Sequence, residues 1–396
     1  MNLRTVDEQD KLHLWLHYGT ESSVRQFQRV CARYADLGEA WRLAAARRSS
    51  AFEGLPEHTI QRLFQAADEG FMTNYVEWLI KRGVDVYMPM HADYPALLKE
   101  IRDPPEVLFV RGRLMKDMPL SIALVGSREP TDYGKSVARS FGQEFSQAGA
   151  VVVSGLARGV DAFAARGALD CRESDYPTIA VLGSGIDVIY PPDNRDLYAE
   201  IAERGAVATE FLPGAAPKRE HFPIRNRIIS GLSRGVVIVE AGERSGTSIT
   251  ASLAHDQGRE VFAVPGRITD PMSVGTNRSI GAGEAKPVTS GRDVLAEFDY
   301  LDAYNALYTG AQRISAEALS AGAQRIPAEA LSEQELAVYR LLQGGEKTID
   351  ELCELLPYSV GEINSALTAM LFSGIMKQLP GRLYMLDTAC IVVCGD

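Results

Sequence analysis

The spacing of apolar residues changes character along the chain. Between residues 10 and 83 it is three or four. "DKLHLWLHY", "SVRQFQRVCARYADL", "AWRLAAARR" and "HTIQRLFQAADEGFMTNYVEWLIKRG" carry that period, and Gly, Ser and Pro interrupt it, which predicts several short helices. A helical domain is expected over residues 1–85. Further on the apolar runs become short and continuous: "SIALVGS" (121–127), "AVVVSG" (150–155), "TIAVLGSG" (178–185), "AVATE" (206–210), "GVVIVEAG" (235–242) and "EVFAVPG" (260–266). Continuous rather than alternating apolarity predicts strands buried on both faces, as in a parallel sheet. Helix-like segments separate the runs, so the expectation over residues 86–300 is a doubly wound, mostly parallel α/β sheet built from βαβ units. "PEVLFVRG" (105–112) is a candidate extra strand before the first.

The pattern then weakens. "GAQRISAEALSA" (310–321) is followed at once by "GAQRIPAEALSE" (322–333), a twelve-residue duplication too short for a solenoid. Residues 301–333 read as a linker. Residues 334–387 read as three helices and a hairpin, the order of a winged helix, with 388–396 as a tail. From Glu333 to Asp387 there are eight acids and four bases, and "SVGEINSALTAMLF" has no Arg or Lys. A duplex reader needs cations for the phosphates, so protein contact is the preferred role of this unit.

Composition narrows the classes. The 396 residues are 46% hydrophobic and carry a formal net charge of −11, which excludes binding of nucleic acid over the whole surface but not in a local groove. No basic start precedes an apolar stretch and no run approaches membrane-spanning length, so neither a signal peptide nor a membrane span is expected. Five cysteines without zinc-site spacing predict no disulfide framework and a reducing, cytoplasmic setting. No metal site or cofactor is expected.

Candidate chemistry lies at the strand exits, where open α/β sheets bind ligands. Gly126-Ser127-Arg128, Ser154-Gly155, Gly183-Ser184-Gly185, Glu240-Ala241-Gly242 and Pro265-Gly266 offer small residues and free backbone N–H groups. Such residues also make ordinary turns; several at one sheet edge, one bearing Arg128, favour phosphate binding. "GSGIDV" has Val188 in place of the third glycine of a dinucleotide fingerprint, and "GERSGTS" lacks a P-loop lysine. "HLWLH" (13–17) lacks the glutamate of a zincin and reads as amphipathic helix; "CIVVC" reads as a terminal strand or tail.

One segment departs from the acidic average. From Lys218 to Arg234 there are five basic side chains and one acid, Glu220. A helix is expected from about Arg225, with Pro223 near its start and Arg225, Asn226 and Arg227 in its first turn, where anions are favoured. So few acids lie nearby in sequence that Arg225 and Arg227 are read as anion ligands. Phe222 is either a base-stacking platform or a core plug.

"LVGSREPTDYG", "SGLARGVDAFAARGAL", "TIAVLGSGIDVIYPPDNRDLYAEI", "HFPIRNRIISGLSRGVVIVEA", "SGTSITASLAHDQGREVFAVPG" and "GTNRSIGAGEAKPV" resemble successive signature blocks of the DprA/Smf family, over roughly residues 91–290. The resemblance implies an extended Rossmann-like fold, with a SAM- or helix-hairpin-helix-like unit before it. It further implies single-stranded DNA binding during natural transformation, RecA loading, displacement of single-strand-binding protein and homodimerisation. It places Gly126, Ser127, Arg128, Ser154, Gly155, Phe222, Arg225 and Asn226 along the DNA groove, with Arg227 adjoining; Lys218, Ser245, Gly246 and Thr247 complete the candidate set. Where the family often has a histidine four residues after its Gly-Ile-Asp aspartate, this chain has Ala165 after Asp161. That weakens an enzymatic reading. The alternatives are a nucleotide phosphoribohydrolase-type enzyme using Glu240 or Glu243, and a winged-helix regulator.

Overall fold

The computed structural model describes residues 6–298 apart from 117, 119, 244 and 245, and beyond them 324–327, 331–372 apart from 344, 375–379, 383–386 and 391–394. Two compact units divide the chain, Met1–Leu295 and Ala296–Asp396.

Five helices open the first unit: α1 (Glu8–Gly19), α2 (Val24–Arg33), α3 (Leu37–Ala45), α4 (Glu57–Ala66) and α5 (Glu69–Lys81). Asp7 and Asp10 cap the start of α1 reciprocally, and Asp68 caps α5, so the polar residues ahead of each apolar period satisfy free N–H groups. The elements β1 (Asp85–Tyr87), α6 (Ala96–Lys99), β2 (Leu108–Gly112), β3 (Ser121–Val125), α7 (Asp132–Gln147), β4 (Val151–Ser154), α8 (Val160–Asp170), β5 (Thr178–Val181), α9 (Arg195–Arg204), β6 (Ala206–Thr209), α10 (His221–Gly231), β7 (Gly235–Ile238), α11 (Thr247–Asp256), β8 (Glu260–Ala263), α12 (Val274–Gly281) and β9 (Lys286–Pro287) follow. They build a nine-stranded sheet in the order β1-β2-β6-β5-β4-β3-β7-β8-β9. β2 runs antiparallel to β1 and β6; the other neighbours are parallel.

The continuous apolar runs have a physical explanation in this sheet. Within β5, Ala180 packs in one core, while Ile179 and Val181 pack in the other. The first core holds α8 and α9 through Ala162, Ala165, Leu169, Leu197 and Ile201. The second holds α10 and α11 through Ile228, Ile229, Ala251 and Ala254. Helices on both faces leave no polar side to alternate with.

The helical region does not have a core of its own. Leu14, Trp15, Leu63 and Met72 belong to the same buried cluster as Phe109, Ala165, Leu182 and Val207. The expected boundary at residue 85 therefore separates kinds of element rather than cores. Ala165 is fully buried in this cluster. His17 of "HLWLH" lies at the same seam. Its Nε2 meets the Glu210 carbonyl oxygen at 2.8 Å, and burial pulls its pKa down to about 4.

In the second unit, helices at Glu333–Leu342, Ile349–Leu355 and Val360–Phe372 accompany a small antiparallel sheet. Its strand Leu383–Leu386 lies between Lys347–Thr348 and Met376–Leu379. Val338, Leu352, Ile363, Leu367 and Met370 share its core. The duplication lies outside the described residues except for 324–327 and 331–333; the backbone of Gln324–Pro327 pairs in parallel with Ile391–Cys394.

Candidate nucleic-acid interface

Strand order reverses between β3 and β7. The chain winds outward from β3 through β4, β5 and β6, then crosses back through α10 to lay β7 on the other side of β3. The loops leaving β3 and β7 consequently diverge and open a crevice at their carboxyl ends. A cleft of about 790 Å³ occupies that position. Of the expected site residues, Gly126, Ser127, Arg128, Phe222, Arg225, Asn226, Gly246 and Thr247 line it. Ser154, Gly155, Lys218 and Arg227 do not, and Ser245 lies outside the described residues.

The loop after β3 is held from below. Ser127 N–H donates to the Glu240 carbonyl oxygen at 2.9 Å. Thr131, which caps α7, gives its N–H to Glu240 Oε2 at 2.9 Å and its hydroxyl to Oε1. Both oxygens of the buried Glu240 carboxylate are thus engaged in fixing this loop. Glu243, the other acid considered for an enzyme, is exposed and lies 3.8 Å from Arg278. Gly159 has φ +79°, and a Cβ there would meet Ser127 O at 2.3 Å, so glycine lets the loop after β4 nest against the loop after β3.

The basic island is not arranged as expected. α10 begins at His221, four residues before Arg225, and Pro223 is its third residue. A proline costs no hydrogen bond there, because first-turn N–H groups have no intrahelical partner. Arg225, Asn226 and Arg227 accordingly fall in the second turn, and the helix's free N–H end does not act beside them.

The arginines divide. Arg227 donates Nη1 and Nη2 to the Glu210 carboxylate at 2.7 and 2.6 Å. The expectation that both arginines lack acidic partners is wrong for Arg227. Glu210, 17 residues earlier, directly follows β6 and meets α10 only in the folded sheet. Arg225 is 4% exposed and gives Nη1 to the carbonyl oxygens of Gly155 and Val181. A Cβ at Gly155 would sit 2.4 Å from its Nη2, so the Ser-Gly exit of β4 makes room for this guanidinium. Among the described residues Arg225 has no carboxylate at ion-pair distance. Desolvation pulls its pKa down to about 10, against the attraction of Asp161. Arg128 is exposed, its guanidinium 5.0 Å from the Phe222 ring centre.

Phe222 is neither fully buried nor free. One side of the ring lies on Gly183, where a Cβ would come within 2.9 Å. Tyr190 stands 5.9 Å away at 44° and is itself 44% exposed. Neighbouring His221 stacks on Phe211 at 4.0 Å and holds the Gly183 carbonyl oxygen at 3.1 Å, an anchoring role for the start of α10. Ser154 is fully buried, and its hydroxyl has no partner among the described residues.

Residues that sequence reasoning passed over also line the cleft: Asp161, Tyr190, Arg219 and Ile249. Arg219 takes the place expected of Lys218. Tyr190 lies in "GIDVIYPPDN", an aromatic beyond a strand exit, which was a usable signal. Asp161 stands in the first turn of α8, and nothing in its local sequence marks it as a cleft residue.

The chain is therefore an α/β protein whose cationic, aromatic-edged cleft sits at the switch point of a mostly parallel sheet. Residues 85–299 match the family described as DNA recombination-mediator protein A. The Synechocystis protein Smf is 31% identical over 93% of this chain and 97% of its own length. The Bacillus subtilis DNA processing protein DprA is 41% identical over 58% of this chain and 75% of its own. The X-ray structure of Streptococcus pneumoniae DprA is similar at a TM-score of 0.61, with 34% identity, over 75% of this chain and 99% of that one. The chain belongs to the DprA/Smf family.

Proposed function

We propose that this chain is a recombination mediator that binds single-stranded DNA along the cleft between β3 and β7. The observation that carries the reading is the pairing of Arg128 with Phe222 beside the desolvated Arg225. Cations for phosphates next to aromatic faces for bases grip a single strand without reading duplex grooves. The family description, a DNA recombination mediator, supports the same reading. Within it, the chain protects incoming DNA during natural transformation in the cytoplasm, displaces single-strand-binding protein, loads RecA, and acts as a homodimer through its α/β unit. Residues 334–387 serve as a winged helix. Their excess of acids supports protein contact over duplex binding. The enzymatic alternative loses support because Glu240 is committed to Thr131 and Glu243 lies on the surface beside Arg278.

Fluorescence anisotropy of the full chain with single- and double-stranded oligonucleotides at several salt concentrations tests the reading. Salt-sensitive preference for the single strand is expected. Equal affinity for duplex, or no binding at low salt, overturns it.

A further inference from the structure

The cleft floor holds a feature that phosphate binding does not explain. Asp161 is 7% exposed and lines the cleft. Its Oδ2 accepts the N–H groups of Gly155 at 2.9 Å and Ala157 at 3.4 Å. Among the described residues, its Oδ1 accepts no hydrogen bond and no cation stands at ion-pair distance, although Arg225 and Arg128 lie close enough to stabilise its charge. A carboxylate beside a phosphate site repels the ligand the site is built for. Asp161 lines the cleft, so a ligand held there can donate to this oxygen.

A nucleobase supplies both halves of what this floor offers. Its ring carbonyl or ring nitrogen accepts from a guanidinium, and its exocyclic amino group donates to a carboxylate oxygen. We infer that Asp161 Oδ1 selects unstacked bases bearing an exocyclic amino group, cytosine in the first place, over thymine. Thymine presents a carbonyl oxygen where cytosine presents an amino group, so its O4 faces the carboxylate with like polarity. The inference rests on the single-strand reading of this cleft and deepens it. One floor position gives a mild preference superimposed on sequence-tolerant binding, not a consensus site.

The test uses three oligonucleotides of equal length on the full chain, at slightly alkaline pH: oligo-dC, oligo-dT, and an oligo-dC in which hydrogen replaces each 4-amino group. Oligo-dC is expected to bind at least about tenfold tighter than the other two, the lower end of what one hydrogen bond to a charged group contributes. The deaminated probe isolates the amino group from differences in stacking and backbone flexibility. In Asp161→Asn the side-chain oxygen can keep the backbone N–H bonds while the amide turns a donor to the cleft. The dC-to-dT ratio is then expected to fall to unity or invert. A merely structural role moves both affinities together and leaves the ratio alone. Equal binding of oligo-dC and the deaminated probe by the parent protein overturns the inference whether or not the variant folds, while single-strand binding itself stands. Failure of all three probes to bind overturns the single-strand reading as well.

Discussion

Arg227 and Glu210 form a two-pronged ion pair, at 2.7 and 2.6 Å, between the second turn of α10 and the residue that follows β6. The carboxylate side chain is 2% exposed and the guanidinium 12%. The pair ties the helix that carries Phe222 and Arg225 to the sheet, and the Glu210 carbonyl oxygen receives His17 from α1.

Removal of Arg227 should therefore act on stability before it acts on DNA. Arg227→Ala leaves a buried carboxylate unpaired, a loss of about 3–5 kcal/mol. Burial pushes the Glu210 pKa up, with Arg227 opposing. An acid with a raised folded pKa holds its proton more tightly folded than unfolded. Its contribution to stability therefore falls as pH rises from the unfolded value through the folded one. Without Arg227 that rise is larger, so the cost of Arg227→Ala should shrink as pH falls towards the ordinary carboxylate range. Urea titrations at neutral and acidic pH measure this; a cost independent of pH contradicts it.

The exposed cations should govern salt dependence instead. Arg128 and Arg219 line the cleft and are solvent-exposed. Replacing each by alanine should lower the magnitude of the slope of log K against log salt by roughly 0.7 per lost phosphate contact on a single strand. Anisotropy titrations of the parent, each single variant and the double variant give the slopes directly. Unchanged slopes would place the phosphates elsewhere.

Gly183 offers an indirect way to move Phe222. Alanine there puts Cβ within 2.9 Å of the ring, which must shift. Gly183→Ala and Phe222→Ala should both weaken single-strand binding, the latter by about 1–3 kcal/mol if the ring stacks on a base. A Gly183→Ala protein that binds as the parent does, with Phe222→Ala impaired, would show that the ring tolerates displacement.

His17 should confer acid sensitivity. Its folded pKa, about 4, lies below the ordinary 6.5. The unfolded chain then takes up the proton first, so the stability it contributes is intact above about 6.5 and lost as pH drops towards 4. Denaturation midpoints measured across that window should fall less steeply for His17→Gln than for the parent. Parallel slopes would assign the effect to other groups.

Much of this fold was legible because burial on two faces leaves a one-dimensional trace. β3 to β8 were readable as uninterrupted apolar runs, and the glycine-rich exits marked the ligand edge of the sheet. One such exit located Arg128, which the cleft brings together with Phe222 from the basic segment and with Gly246. The position of α10 was less legible. Pro223 suits any first-turn position, so the sequence placed the helix start too late and aimed three residues at the wrong field.

What the sequence determined by itself is the parallel sheet, the glycine-rich loops at its carboxyl edge and the family, since each is written in contiguous residues. Tertiary structure alone decided the roles of the charged side chains. Arg225 and Arg227 are two residues apart on one helix, yet one faces the cleft and the other faces Glu210. Helix phase and the return of β6 beside α10 set that difference, and neither is a local property of the chain. Asp161 owes its part to the same cause. A carboxylate in the first turn of α8 becomes the acceptor at the cleft floor only where the loops after β3, β4 and β7 converge.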